Sequence, residues 1–164
     1  MRLRRLRGVH RPGIAIVIPA FAGPLVMCDV GANVNCRPQH LHQYAIMSSE
    51  YAQHICGVAN PRVGLLSIGE EDAKGNTLVK ETRQLLRTDS KLTFVGNVEG
   101  RDLLRGVCDV VVCEGFVGNV ALKLIEGLSE GLFKALAKEL IATNPALTAG
   151  VMGAIGTIRN KYDF

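Results

Sequence analysis

Asp109-Val-Val-Val-Cys-Glu-Gly-Phe-Val-Gly-Asn-Val-Ala-Leu-Lys123 reads as a strand, a loop and the opening of a helix. Val110, Val111 and Val112 form a continuous apolar, β-branched run, the pattern of a strand buried on both faces of a parallel sheet. Gly115 and Gly118 remove side chains where the backbone must turn and approach a ligand closely. Asn119 then leads into an apolar helical pattern. A helix that starts here presents unpaired N–H groups and a partial positive charge to the loop, and so welcomes an anion. The same order recurs along the chain. Leu25 to Val30 runs into Gly31-Ala32-Asn33, Val63 to Ser67 into Gly69, Lys74, Gly75 and Asn76, and Leu92 to Val95 into Gly96 and Asn97. In a parallel sheet these strand ends share one edge, and ligands of open α/β sheets bind there. The expected fold is a doubly wound, mostly parallel α/β sheet.

A length of 164 residues suits a single domain with a sizeable core, and 48% hydrophobic content marks a globular chain. The formal charge of +4 is local: Arg2, Arg4, Arg5, Arg7 and Arg11 supply five of the 19 basic residues. Without them acidic residues outnumber basic ones, which removes the main support for a nucleic-acid partner. The basic terminus interleaves Leu3, Leu6 and Val9 and is read as a helix end with a solvated face, a localisation or polyphosphate-binding arm being the alternative. Cys28, Cys36, Cys56, Cys108 and Cys113 form no C-x-x-C pair and no Cys/His cluster at zinc spacing. An odd cysteine count with no secretory apolar segment points to a reducing cytoplasm. No segment is long and apolar enough to span a bilayer.

Residues 1–24 read as a basic lead-in and a short strand, Ile14 to Ile18, ended by Pro19, with a turn at Gly23-Pro24. Residues 25–120 carry the strand-loop-helix units, and 121–164 an amphipathic helix and an apolar tip, all within one domain. Pro38 opens a helix whose Leu41, Tyr44, Ala45, Ser48, Tyr51, Ala52 and Ile55 recur at helical spacing up to Gly57. His40, His42 and His54 lie on or beside its polar face and are assigned no role. Glu70, Glu71 and Asp72 lack the offsets of a hard-cation site, so no metal is expected. Lys74 beside Gly75 sets an ammonium next to bare backbone, with Asn76 as a helix N-cap or amide donor. Arg101 is a candidate fork for phosphate or carboxylate, unless Glu99 and Asp102 pair with it. Leu122, Ile125, Ser129, Leu132, Phe133, Leu136 and Leu140 form one stripe of a long helix that ends at Asn144-Pro145. Pro145 to Ile158 carries no charge. It is either a packed hairpin at a subunit contact or a tip dipping into a membrane surface.

Several stretches together resemble the phosphate acyltransferase family of bacterial phospholipid synthesis. They are Arg11-Pro12, Asp29-Val-Gly-Ala-Asn33, Arg62-Val-Gly-Leu-Leu66, Gly69-Glu70-Glu71 with Lys74-Gly75-Asn76, Gly96-Asn-Val-Glu-Gly-Arg-Asp102 and Gly115-Phe-Val-Gly-Asn119. Members of that family are soluble enzymes that move a fatty acyl group from acyl carrier protein to inorganic phosphate, giving acyl phosphate. The resemblance implies a phosphotransacetylase-like or isopropylmalate-dehydrogenase-like fold and a homodimer loosely associated with the inner face of the cell membrane. It also implies a downstream glycerol-3-phosphate acyltransferase as consumer, and no cofactor. Phosphate is already an anionic nucleophile, so the protein has only to hold it, polarise the thioester carbonyl and stabilise the oxyanion. Lys74 and Asn119 are the expected catalytic groups, with Asn33, Gly75, Asn76, Asn97, Arg101 and Gly118 binding phosphate or substrate. No cysteine is placed with a histidine, which disfavours a Cys acyl-enzyme. A dinucleotide-dependent dehydrogenase of similar fold would need a Gly-x-Gly-x-x-Gly turn after its first strand, and none is present.

The family's amino-terminal Asp-Ala-Met-Gly-Gly-Asp and Gly-Asn-Thr-Gly stretches have no counterpart here, nor do its carboxyl-terminal Tyr-Gly-Gly and His-Gly-Ser stretches. Ser48 stands where the family commonly has glycine. The chain is therefore expected to be an internal fragment that leaves a sheet edge or face uncovered, a surface prone to association; a catalytically incomplete interaction module is the competing function. The isolated chain should aggregate and show little acyltransferase activity. Size-exclusion chromatography alongside an acyl-phosphate assay checks this, and a monodisperse dimer with full turnover would contradict it.

Overall fold

A computed structural model of the protein describes residues 8–144, 146 and 148–162, the last four of these by backbone alone. The basic lead-in up to Arg7, and Pro145 and Leu147 of the apolar tip, lie outside the described residues. The chain divides into two compact units between Ala121 and Leu122.

The first unit opens with a hairpin, β1 (Ala15–Ala20) antiparallel to β2 (Gly23–Cys28). Pro19 and Pro24 stand opposite each other inside these strands, where the sequence suggested a strand end and a turn. Proline lacks an N–H, but β1 is the sheet edge and β2 pairs onward only from Val26, so neither ring interrupts a ladder. Next come α1 (Pro38–His54), β3 (Arg62–Leu66), α2 (Thr77–Thr88), β4 (Thr93–Val98), a single 3-10 turn (Gly100–Asp102) and β5 (Val110–Val112). The sheet order is β1-β2-β5-β3-β4, parallel except for the edge hairpin. This is the mostly parallel α/β sheet expected.

The steps from β2 to β3 and from β3 to β4 cross the sheet in the same direction. Parallel crossovers share one hand, so α1 and α2 come to the same face. There Val26, Cys28, Val63, Leu65, Val110 and Val112, alternate residues of three strands, pack with Leu41, Tyr44, Ala45, Ala52 and Leu86. Each large aliphatic side chain in that layer contributes about 1.5–3 kcal/mol on burial. The return from β4 to β5 runs the other way and serves the opposite face, where Val98 and Cys108 crowd the position a Gly64 side chain would take.

The start of β5 is tied to the start of β3 by charge. Arg62 Nε and Nη2 donate to Asp109 Oδ2 and Oδ1, both at 2.9 Å, and Nη2 also donates to the Gly106 carbonyl. The Arg62 amide donates to Asp109 Oδ2 and the Asp109 amide to the Arg62 carbonyl. At the far end of the helical layer His42 Nε2 meets Asp89 Oδ2 at 2.8 Å, joining α1 to the end of α2.

The second unit holds α3 from Leu122 onward (Gly115–Thr143 in all) and α4 (Thr148–Tyr162). Here the expected apolar stripe is only partly covered. Of the stripe read from the sequence, Leu122, Ile125 and Phe133 are half-buried while Ser129, Leu132, Leu136 and Leu140 are exposed, and Leu124 and Leu128, outside that stripe, are exposed to about 65%. A four-residue spacing drifts about 40° per step around a helix of 3.6 residues per turn, so these leucines spiral across the surface rather than forming one narrow seam. No helix among the described residues is long and apolar enough to cross a membrane.

Asp109→Asn should lower stability by about 1–3 kcal/mol, the scale of hydrogen bonds to a charged group. The Arg62 hydrogen bonds hold the Asp109 carboxyl below the usual carboxylate range. Its contribution is therefore present above the unfolded value of about 3.9 and lost as pH falls through the lowered folded value. Denaturant midpoints of parent and variant should differ at pH 7 and converge at strongly acidic pH.

Candidate active site

The loop after β2 is built on one carboxylate. Asp29 is fully buried, and its Oδ1 accepts from the amides of Ile14, Gly31 and Ala32 at 3.0–3.2 Å. Its Oδ2 accepts from the Asn33 amide at 2.8 Å and from Asn33 Nδ2 at 3.0 Å. Asn33, expected to bind substrate, has its side-chain amide committed to the frame instead. Beyond Asp29, Nδ2 reaches the Pro12 carbonyl at 2.8 Å and the Tyr44 hydroxyl at 2.9 Å. Its two protons already face three acceptors.

The start of α3 also departs from expectation. The helix begins at Gly115, so Gly118 and Asn119 lie in its first turns rather than in a loop. Its leading amides are not open to an anion. Gly115 N–H donates to the Asn33 carbonyl at 2.7 Å, Phe116 and Val117 to the Glu114 carboxylate at 2.8 and 2.9 Å, and Gly118 to the Glu114 carbonyl. Glu114 is the residue's own anion at this helix start. Gly118 is a packing glycine: a Cβ there would overlap the Asp29 carbonyl oxygen. Asn119 is exposed, and its side chain lies beside Gly31.

On the second loop the Lys74 amide donates to the Glu71 carbonyl, while the Lys74 side chain is exposed and its stem lies against Gly69. Gly75 has φ +95°, and a side chain there would also strike Val79 and Ser67. Asn76 caps α2, its Oδ1 accepting from Val79 N–H at 2.9 Å. Asn97 and Arg101 serve this loop. Asn97 belongs to β4 rather than to a following turn, is buried, and donates to the Glu71 carbonyl at 3.1 Å. Arg101 pairs with Glu99 at 2.9 Å and approaches Glu70 at 3.9 Å, while Asp102 takes Arg105. Among the described residues no hydrogen bond joins Lys74 to Asn119.

An open pocket of about 770 Å3 lies at the same strand ends. Its lining includes Arg11, Cys36, Arg37, His40, Asn76 and Glu114. Neither Lys74 nor Asn119 lines it. Sequence reasoning left His40 on a polar helix face, yet it is 8% exposed, its Nδ1 accepting from Arg37 N–H at 3.1 Å. Burial, and then the positive charges of Arg11, His10 and Arg37, lower its pKa. Cys36 shares the pocket with a histidine after all. Its thiol donates to the Asn33 carbonyl at 3.3 Å, and burial is the main cause that raises its pKa, so it is a poor nucleophile. The signal for Arg37 was legible in retrospect, since it directly precedes the helix-opening Pro38.

Residues 1–163 match the fatty acid synthesis protein family. The chain belongs to that family. Among its relatives, a phosphate acyltransferase of Nitratidesulfovibrio vulgaris is 51% identical over 160 residues, covering 98% of this chain and 44% of the relative. A phosphate acyltransferase of Bacillus cytotoxicus is 48% identical over 163 residues, covering 98% and 49%. The chain thus spans about half the length of the curated relatives it matches. In fold it resembles the EutD phosphotransacetylase from Staphylococcus aureus, with a TM-score of 0.63 at 19% identity over 76% of this chain and 44% of that one. A branched-chain phosphotransacylase from Enterococcus faecalis V583 gives a TM-score of 0.53 at 19% identity over 68% and 48%.

For this member of the fatty acid synthesis protein family, Gly118→Ala is expected to cost about 3 kcal/mol or more, because the added methyl meets backbone rather than a movable side chain. Thermal unfolding of the variant measures it; an unchanged midpoint would mean that the α3 start is not seated on Asp29 as described.

Proposed function

We propose that the protein transfers a fatty acyl group from the thioester of acyl carrier protein to inorganic phosphate, giving acyl phosphate for phospholipid synthesis. The observation that carries this reading is the 51% identity, over 98% of the chain, to a phosphate acyltransferase. The unpaired donors at the strand ends support it. A phosphate oxygen attacks the thioester carbonyl, the C–O bond forms, the C–S bond breaks, and the thiolate leaves to take a proton from solvent. Lys74, exposed and with no carboxylate partner among the described residues, offsets the phosphate charge. The Asn119 amide donates to the carbonyl oxygen as negative charge develops. Gly75 and Gly118 let the backbone close up around these groups, and Asn33, Asn97 and Arg101 position the loops. No covalent acyl-cysteine is needed, in keeping with the raised pKa of Cys36.

A second reading, an interaction module without turnover, is favoured by one observation, the exposed leucines of the second unit. In the reading proposed here that surface meets a second copy of the chain and the inner-membrane surface. A downstream glycerol-3-phosphate acyltransferase then draws off the acyl phosphate.

The test is a chimera in which this chain replaces the matching stretch of the 51%-identical relative. With acyl carrier protein thioester and phosphate it should form acyl phosphate, trapped by hydroxylamine as the hydroxamate. Lys74→Ala and Asn119→Ala should each reduce the rate by about 100-fold or more with the fold intact, and Cys36→Ser should retain it. Near-normal turnover in both alanine variants would sink the assignment, and a folded chimera without product would favour the module.

A further inference from the structure

The pocket beside the transfer donors has unbalanced charge. Among the described residues Arg37 has no carboxylate partner, and Arg11 reaches only the Asn35 carbonyl, at 3.4 Å. The carboxylate in the lining, Glu114, is committed to the Phe116 and Val117 amides. His40 spends Nδ1 on the Arg37 amide, which fixes its proton on Nε2 and makes that nitrogen a donor. Burial and the neighbouring cations keep the ring neutral near pH 7, so it adds no repulsion. Asn76 spends Oδ1 on Val79 and keeps the protons of Nδ2. All three helices of this edge start at the rim: Arg37 precedes α1, Asn76 caps α2 and Glu114 precedes α3. Two guanidinium groups and neutral donors around about 770 Å3 suit a phosphate group. Val34, Leu78 and Phe116 in the same lining offer apolar surface for a chain attached to it.

We infer that Arg11, Arg37, His40 and Asn76 form a phosphate-group subsite separate from Lys74 and Asn119. The group is either the phosphodiester of a carrier protein's pantetheine arm or free phosphate, and only this choice of sources rests on the acyl-transfer reading. Placed here, an arm would be held by its phosphate while the thioester extends along the strand ends.

Calorimetric titration of the chimera with three probes tests this. The probes are a serine peptide carrying phosphopantetheine, pantetheine without phosphate, and inorganic phosphate. The peptide should bind and pantetheine should not. Arg37→Ala and Arg11→Ala should each weaken binding about tenfold, the scale of one charge-assisted hydrogen bond, with Arg37→Lys restoring part of it. Both side chains are exposed, so the fold should survive, as circular dichroism would confirm. Peptide binding that phosphate does not displace identifies the arm as the source; phosphate that binds as well as the peptide, with the same arginine dependence, identifies free phosphate. Equal binding of peptide and pantetheine, or affinity indifferent to both arginines, overturns the subsite. Arginine-dependent peptide binding in a chimera that forms no acyl phosphate would leave the subsite standing and reject the transfer reading.

Discussion

The hydrogen bonding of the buried Asp29 carboxylate is the interaction on which the carboxyl edge of the sheet depends. An ionised carboxylate away from water is costly unless its lone pairs are filled. Here they are filled by backbone amides from Ile14 and from Gly31, Ala32 and Asn33, with the Asn33 side chain completing the set. These donors come from the segment entering β1 and the loop leaving β2, so one group fixes both. The Asn33 carbonyl then receives Gly115, and the Asp29 carbonyl sets how closely Gly118 must approach. The seat of α3, and with it the position of Asn119, follows from this one carboxylate.

The same logic explains why the α3 start is not an anion site. A helix start attracts negative charge regardless of its source. Glu114 supplies that charge from within the chain, at no cost in bringing a ligand from solution. Lys74, Arg11 and Arg37, which have no carboxylate partner among the described residues, sit on the loops around that start. Any anion drawn to this edge is therefore met by side chains rather than by a bare row of amides.

Much of this was legible in the sequence because it rests on local pattern. The Val110–Val112 run, the Gly/Asn loops and the Pro38 helix specify a parallel sheet whose strand ends share an edge, and the sheet has that form. The Asn76 cap was legible for the same reason, since a cap depends on residues three apart. What was not legible depends on partners distant in the chain. Asn33 is consumed by Pro12 and Tyr44, Asn97 by Glu71 across the β3–β4 edge, and His40 is buried by the segment that brings Arg11 over it. The exposed leucines of α3 show the converse, an apolar period that declares a helix without declaring what covers it.

Charge is handled in opposite ways at the edge and beneath it. Arg83 is buried on α2, with Nε and Nη1 lacking hydrogen-bond partners among the described residues and only Asp72 near, at 3.7 Å. Asp72 is held at the same time by Arg87 through two bonds of 2.9 Å. That network fastens the loop carrying Lys74 to α2. Lys74, Arg11 and Arg37 are instead exposed and have no carboxylate partner among the described residues, which costs little in the free protein because water solvates them. Desolvating them would cost free energy that only charge-assisted bonds to an anion offset. A paired layer thus supports an exposed one whose cations keep their hydration, so the edge holds its positive charge at little cost to the fold.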